Sequence, residues 1–283
     1  MGRHSPAAAG WRRRFATINI NLTDTVPDIL ARIVAAKRED PAAGPDARLK
    51  WQRMAEFERG RRRNFRQALG SRVPAIIGEI KKASPSKGVL SRDFDPARQA
   101  RQYEAGGAAA LSVLTDQQFF QGSLQDLQTA RAVCGLPVLR KDFILDESHV
   151  LEAAAHGADA ILLIAAILDG RELRALREAA AQYGMAALME VHDERELAKA
   201  LEAGAEIVGV NNRDLNTFQV TLETSLRLAG RIPAEVLKVS ESGIECARDI
   251  RRLLDAGYQA FLVGEHLMKA SDPAGALHAL ITA

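Results

Sequence analysis

The sequence has few cysteines, few aromatic residues and no long uncharged apolar run. Its two cysteines, Cys134 and Cys246, are too few for a disulfide framework or a four-cysteine zinc site. No stretch of about 18 uncharged apolar residues occurs, which excludes a membrane-spanning helix and argues against a membrane partner. This cysteine usage is typical of a reducing compartment, so we expect a cytoplasmic protein.

The sequence also lacks a strong excess of charge of either sign. It has 38 Lys and Arg residues against 36 Asp and Glu residues, a net charge of +2. Arginines cluster at residues 12–14 and 61–63, but arginines on a predicted helix usually form a solvated face. The charge balance therefore argues against a nucleic-acid partner.

The N-terminus is basic and differs from the rest of the chain. Four arginines and no acidic residue precede Asp24, which faintly resembles a transit peptide. Such a peptide would be rich in serine, and a secretion signal would have an apolar core; both features are missing. We expect residues 1–24 to be a disordered leader or an overlong start assignment. Residues 25–283 are then a single domain that includes a helical extension over residues 25–70.

From residue 73 onward, short apolar runs alternate with amphipathic helical segments that tend to close on glycine. The runs are Ala75–Ile80, Ala109–Leu114, Pro137–Arg140, Ala160–Ile164, Ala187–Val191, Ile207–Val210, Val236–Val239 and Ala260–Val263. Runs of this kind are typical of strands buried on both faces. Eight such units predict an α/β fold, a (β/α)8 TIM barrel. The alternative, a doubly wound sheet, needs a topological switch and usually has fewer strands.

Two amphipathic segments precede the first predicted strand. The apolar spacing predicts one helix over Val26–Lys37 and another over Trp51–Leu69, with Pro41–Pro45 as their linker. We expect these extra N-terminal helices to pack across or beside the barrel.

Polar residues lie at most of the predicted strand ends, where a TIM barrel carries its catalytic groups. Glu79 and Lys81 are two residues apart and share one face of the first strand. A carboxylate and an ammonium facing the barrel interior are costly unless they are paired or used, although the pair could serve structure alone. Ser242-Gly243 opens a predicted helix and Gly264 closes the last strand, a pattern typical of a phosphate site.

These residues form motifs that resemble one enzyme family. Residues 77–88, IGEIKKASPSKG, closely resemble the first-strand signature of the indole-3-glycerol-phosphate synthase family. The resemblance runs from about residue 28 to the C-terminus. Its later motifs are LTD at 114–116, FFQGS at 119–123, RKDFI at 140–144, GVNNRDL at 209–215, VSESGI at 239–244 and LVGE at 262–265.

The resemblance implies a (β/α)8 barrel enzyme of tryptophan biosynthesis. The family converts 1-(2-carboxyphenylamino)-1-deoxyribulose 5-phosphate to indole-3-glycerol phosphate, CO2 and water, without metal or organic cofactor. The expected partner is therefore a phosphorylated small molecule. Other enzymes of the tryptophan pathway are candidate protein partners.

The resemblance also implies roles for the residues that perform the proton transfers. Lys141 is expected to protonate the substrate carbonyl oxygen, and Glu190 to act as the base toward the nitrogen proton. Glu79 and Lys81 are expected to hold Lys141 and assist dehydration, with Asn211 as a hydrogen-bonding orienter and Ser242 as a further catalytic residue. The sequence leaves open which of Lys141 and Lys81 serves each proton-transfer step. We further expect burial and a neighbouring cation to lower the pKa of Lys141, while carboxylates keep it charged.

Substrate recognition is implied by the same motifs. Arg213 is expected to bind the anthranilate carboxylate, and Phe120 and Phe143 to flank the aromatic ring. The expected phosphate cradle consists of Lys81, Ser84, Ser242, Gly243, Gly264 and the backbone N–H of Glu265. An acidic side chain beside phosphate is unfavourable unless it points away, which concerns Glu265.

Three other readings compete with this one. Phosphoribosylanthranilate isomerase is expected to use a cysteine base near the end of its first strand, but here that strand ends in Glu79-Ile80-Lys81. A metal-dependent epimerase needs histidines clustered with acids at strand ends, and the histidines here are scattered and read as surface or structural residues. A barrel that binds without catalysis is disfavoured because no expected catalytic position is substituted.

Overall fold

A computed structural model describes residues 28–39, 44–85, 87–91, 93–215 and 217–282. Eight parallel strands close into a barrel, each pairing with its neighbours along the chain and the last pairing with the first. The strands are β1 (Ala75–Ile80), β2 (Ala110–Leu114), β3 (Val138–Lys141), β4 (Ala160–Ile164), β5 (Ala186–Val191), β6 (Ile207–Asn211), β7 (Leu237–Glu241) and β8 (Ala260–Val263). The predicted TIM barrel is confirmed, and all eight predicted strands are present.

Helices surround the barrel in the order expected for repeated β/α units. They are α1 (Asp28–Glu39), α2 (Pro45–Arg59), α3 (Phe65–Gly70), α4 (Pro96–Ala105), α5 (Leu124–Ala132), α6 (Glu147–Ala155), α7 (Gly170–Gln182), α8 (Glu194–Glu202), α9 (Glu223–Ala229), α10 (Ala247–Asp255), α11 (Glu265–Lys269) and α12 (Pro273–Ile281). None of these helices is long and apolar enough to span a membrane.

The local sequence explains where many helices begin and end. The Asp146 side chain accepts hydrogen bonds from the backbone N–H groups of Ser148 and His149, and so caps α6 as predicted. Gly157 and Gly204, which follow α6 and α8, have φ angles of 84° and 82°. Because glycine adopts this left-handed conformation without a steric penalty, the chain turns sharply at both positions from a helix toward the next strand.

The N-terminal helices differ from their predicted bounds. Trp51–Leu69 was predicted as one helix, but α2 ends at Arg59 and α3 starts at Phe65. The break occurs because Asn64 caps α3 and the arginines before it turn toward the base of the barrel. Pro45, predicted as linker, is the first residue of α2, where its missing N–H costs nothing. The predicted leader, residues 1–24, lies outside the described residues.

Two further differences lie at the strand ends. A hairpin that the sequence did not predict pairs Ala83–Ser84 with Gly88–Val89 in the loop after β1. The helix predicted to open at Ser242-Gly243 instead begins at Ala247, because both residues adopt left-handed φ angles of 68° and 78°. That backbone cannot start a right-handed helix.

Candidate functional site

A cavity of about 430 Å³ opens at the C-terminal ends of the strands. Its wall includes all thirteen residues that the sequence analysis proposed for the site. They are Glu79, Lys81, Ser84, Phe120, Lys141, Phe143, Glu190, Asn211, Arg213, Ser242, Gly243, Gly264 and Glu265. The barrel thus brings together side chains from seven of its eight strand ends, which is the arrangement that supports catalysis in this fold.

The floor of the cavity carries interlocked ion pairs. Lys141 Nζ lies 3.3 Å from Glu190 Oε2 and 3.6 Å from Glu241 Oε2. Lys81 pairs with Glu79 at the end of β1, as their shared strand face predicted. All three carboxyl groups are buried, so any of them that is ionised depends on these lysines for compensation of its charge.

Burial and charge act in opposite directions on the lysine. Burial alone would lower the pKa of Lys141, but the carboxylates of Glu190, Glu241 and Glu79 outweigh burial and raise it. The expectation of a lowered pKa is therefore wrong for this state of the site, because three acids surround the ammonium. Lys141 is fully protonated at neutral pH, which is the form that a general acid needs.

Glu241 is a functional candidate that the sequence reasoning missed. Burial raises its pKa to about 8; Lys141 opposes this shift, and the charges of Glu190 and Glu79 add to it. Its Oε1 is buried without a hydrogen-bond partner among the described residues. The alternation of side chains along a strand could have indicated this position. Glu241 follows Val239 by two residues and therefore lies on the same face of β7, as Lys81 follows Glu79 by two residues in β1 and its end.

The backbone at position 209 makes room for this extra carboxyl group. A Cβ atom on Gly209 would collide with Glu241 Oε1 and would lie 3.2 Å from the side chain of Leu188. Any larger residue would therefore displace Glu241 from the cavity floor.

Both other buried carboxylates are held in the ionised form. Burial by itself would raise the pKa of Glu190, but Lys141, His192 and a hydrogen bond from Asn211 lower it. The pKa of Glu79 is lowered mainly by Lys81, against the effect of burial. A proton acceptor and a proton donor therefore lie side by side on the cavity floor.

Asn211 connects three strand ends. Its Oδ1 accepts hydrogen bonds from Ser242 Oγ at 2.9 Å and from the backbone N–H of Arg213 at 3.0 Å. Because its amide also reaches Glu190, Asn211 fixes the orientation of that carboxylate relative to the loop after β7.

Two aromatic rings and two glycines line the cavity. The ring centroids of Phe120 and Phe143 lie 6.2 Å apart at an interplanar angle of 37°. Gly243 has no room for a side chain, because a Cβ would lie 2.6 Å from Val220 Cγ1. Gly264, directly before α11, is equally constrained by Glu79. Both positions therefore require glycine because of neighbouring side chains, and both leave their backbone uncovered by a side chain of their own.

The side chain of Glu265 is engaged with two lysines. Hydrogen bonds from Lys269 and Lys87 lower the pKa of Glu265 to about 2. Its negative charge is therefore offset locally, which answers the objection to an acidic residue next to a bound anion.

The N-terminal helix α1 forms part of the wall, which the sequence did not predict. Ile29, Leu30 and Ile33 of this helix line the cavity. At its other end, Lys37 Nζ lies 3.0 Å from Asp142 Oδ1 and 3.5 Å from Asp116 Oδ2, at the ends of β3 and β2. Among the described residues, no group of three or more His, Cys, Asp or Glu side chains is arranged to hold a metal ion.

Comparison with known proteins places this chain in a family. The family model for indole-3-glycerol phosphate synthase matches residues 30–280. A protein of that name from Polaromonas naphthalenivorans (strain CJ2) is 52% identical over 255 residues, which cover 88% of this chain and 97% of that protein. Another from Koribacter versatilis (strain Ellin345) is 48% identical over 269 residues and covers 94% of this chain and 99% of that protein.

Among solved structures, a thiamine phosphate pyrophosphorylase from Pyrococcus furiosus has a similar fold. Its TM-score is 0.57 at 18% identity, over 74% of this chain and 94% of that one, a likeness that concerns the fold alone. The family match and the relatives at about half identity extend from the N-terminal helices to the end of the barrel. The chain therefore belongs to the indole-3-glycerol phosphate synthase family.

Proposed function

We propose that this chain catalyses the reaction for which its family is named, the closure of an indole ring in tryptophan biosynthesis. The substrate is 1-(2-carboxyphenylamino)-1-deoxyribulose 5-phosphate, and the products are indole-3-glycerol phosphate, CO2 and water. The observation that carries the proposal is the buried Lys141 ammonium between Glu190 and Glu241, in a cavity that two aromatic rings also line.

Ring closure begins with Lys141 as the general acid. Lys141 donates its proton to the ketone oxygen while the aromatic carbon that bears the carboxylate bonds to the ketone carbon. CO2 then leaves, and the electrons of its C–C bond restore the aromatic ring. A positioned acid of this kind contributes about 10²–10⁴-fold to the rate.

Dehydration then uses Glu190 as the base. Glu190 removes the nitrogen proton as the new hydroxyl group departs, and that proton and the hydroxyl together make the water. A ring C–H proton moves to the nitrogen to give the indole, and Lys141 recovers its proton from solvent. Glu79 and Lys81 lie next to the departing hydroxyl and assist this step, while the Asn211 contacts to Ser242 support the orientation of Glu190.

Substrate recognition follows from the remaining wall residues. Arg213 binds the anthranilate carboxylate, and Phe120 and Phe143 flank the aromatic ring. The phosphate lies against the backbone N–H groups of Gly243, Gly264 and Glu265, with the cavity-lining side chains of Lys81, Ser84 and Ser242 beside them. We also propose a cytoplasmic location, which the two free cysteines support.

The direct test is indole fluorescence when the purified chain receives the carboxyphenylamino deoxyribulose phosphate. We expect fluorescence to rise with one CO2 released per indole formed. A parallel reaction with phosphoribosylanthranilate tests the isomerase alternative. Isomerisation of that compound by a folded chain that forms no indole would overturn the proposal.

A further inference from the structure

His192 lies directly behind Glu190 rather than in the cavity wall. The two residues are separated by Val191 at the end of β5, and His192 Nε2 lies 3.6 Å from Glu190 Oε1. On its other side, His192 Nδ1 lies 3.0 Å from Glu196 Oε2, an oxygen that also accepts the backbone N–H of His192 at 2.8 Å. The imidazole therefore lies between the carboxylate of Glu190 in β5 and that of Glu196 in α8.

The second ring nitrogen has no other use. Nε2 is buried and has no hydrogen-bond partner among the described residues. Because an ionised Glu196 can only accept, Nδ1 must carry a hydrogen, and a second hydrogen on Nε2 gives the charged ring aimed at Glu190. The sequence predicts that His192 is a surface or structural residue. Its side chain is only 14% exposed and faces the carboxylate of Glu190.

The charges around the ring favour the imidazolium form. Burial alone would lower the pKa of His192, but the hydrogen bond to Glu196 and the charges of Glu190, Glu196 and Glu241 raise it. These acids belong to β5, α8 and β7. The imidazolium form is therefore favoured more strongly here than in an isolated histidine.

We propose that His192 is a positioning residue that holds Glu190 ionised from the side opposite Lys141. Glu190 Oε2 faces Lys141 and Oε1 faces His192, so the carboxylate is fixed at both oxygens. This inference rests on the proposed role of Glu190 as the base.

The charge of His192 disfavours an unproductive proton transfer from Lys141 to Glu190. Lys141 and Glu190 are close enough for the lysine proton to pass to the carboxylate instead of to the substrate. A positive charge behind Glu190 lowers its pKa and so disfavours that transfer. Lys141 becomes neutral when it has given its proton to the substrate. Of the two groups in contact with Glu190, His192 is then the one that is still positively charged, and it keeps Glu190 ionised for dehydration.

The test compares His192→Asn with the wild-type enzyme across pH. The asparagine amide can still donate to Glu196 but has nothing at the Nε2 position and no charge. Without the imidazolium, the pKa of Glu190 rises, so the acidic limb of kcat/KM should move up by about one pH unit, a tenfold loss of kcat/KM below that limb. KM at the optimum should stay unchanged, because His192 does not line the cavity.

A second variant keeps the inference testable if His192→Asn fails to fold. Glu196→Gln retains an acceptor for Nδ1 but removes the charge that favours the imidazolium, and should shift the same limb in the same direction. Glu202→Gln, a change of the same kind at an exposed position of α8, is the control and should shift nothing. A folded His192→Asn variant, or a folded Glu196→Gln variant, with the wild-type pH profile would overturn the inference. An inactive wild-type enzyme would instead overturn the proposed function.

Discussion

Three carboxylates and two lysines share the cavity floor, so the protonation of each depends on the others. If every group were ionised, one negative charge would remain uncompensated. Burial raises the pKa of Glu241 to about 8, and the other two acids add to that shift while Lys141 opposes it. Glu241 is therefore the group that keeps its proton at neutral pH, which leaves Glu79 and Glu190 to pair with the lysines.

This assignment predicts how stability depends on pH. The folded chain binds the Glu241 proton more tightly than the unfolded chain, in which the pKa is about 4.3. Stability attributable to this group therefore falls as pH rises between these two values and stays low above about pH 8. Glu241→Gln removes the titration, so its melting temperature relative to wild type should rise from about pH 5 to about pH 9, by about 2 °C or more.

The control for this measurement is Glu202→Gln, which changes an exposed glutamate of α8. Its melting-temperature difference from wild type should be the same at both pH values. A Glu241→Gln difference that is equally flat would contradict a protonated Glu241.

The identity of the individual site residues was the part of the site that the sequence predicted best. The polar residues at strand ends could be found because a TIM barrel directs its strand ends to one mouth, and the family motifs then named their roles. Glu241 escaped attention although it carried the same alternation signal as Glu79 and Lys81. The raised pKa of Lys141 could not be predicted, because it depends on three carboxylates that lie far apart in the sequence and meet only in the barrel.

Helix α1 contributes both a wall and a tether. Its apolar residues line the cavity, while Lys37 reaches Asp142, the residue that follows Lys141. Asp142 is itself held by Arg140 at 2.9 Å and by Thr115 at 2.6 Å. The tether therefore connects the N-terminal extension to the strand end that carries the proposed acid.

Loss of the tether should weaken substrate binding more than chemistry. We predict that Lys37→Met raises KM about tenfold or more, because breaking a nearly buried ion pair costs more than the about 1 kcal/mol of an exposed one. The change in kcat should be smaller. Hydrogen exchange over residues 28–39 should become faster in the variant, and Arg38→Met, at an exposed neighbour, should reproduce neither effect. An unchanged KM together with unchanged exchange would show that Lys37 does not hold α1.

At the level of elements, strands were easier to predict than the N-terminal helices. A strand buried on both faces leaves a continuous apolar run, as the fully buried β4 does. The break between α2 and α3 has no such signature. It is stabilised by distant carbonyl groups, because Arg62 donates to Ala154 at 2.5 Å and Arg63 donates to Leu136 at 2.6 Å. The sequence placed these arginines on a solvated face, and only the assembled barrel shows their partners.

The two ends of the barrel have different roles: one carries the proposed reaction and the other stabilises the fold. The proposed reaction takes place at the C-terminal ends of the strands, while Asp159 lies at the opposite end, just before β4. Its carboxylate accepts the backbone N–H of Arg63 at 2.8 Å and of Val138 at 2.9 Å, and pairs with Arg131 at 3.1 Å. One buried acid therefore binds the N-terminal extension to the barrel base.

This division predicts a variant that loses stability but not activity. Asp159→Ala leaves Arg131 and two backbone donors without their acceptor, which should cost about 3–5 kcal/mol and lower the melting temperature by about 6 °C or more. At temperatures well below melting, kcat and KM should equal the wild-type values. Asp255→Ala, at an exposed site on α10, should change neither property. A loss of kcat in folded Asp159→Ala protein would mean that the two ends are coupled.

The most direct test of the central claim is the rate of indole formation by Lys141→Ala, measured by fluorescence beside wild type and the exposed-lysine control Lys50→Ala. Lys141 is proposed as the acid for ring closure, so kcat should fall by about 10²-fold or more. Lys50→Ala should retain the wild-type rate. Near-normal turnover by folded Lys141→Ala protein would contradict the account, because the ketone would then be protonated by another group.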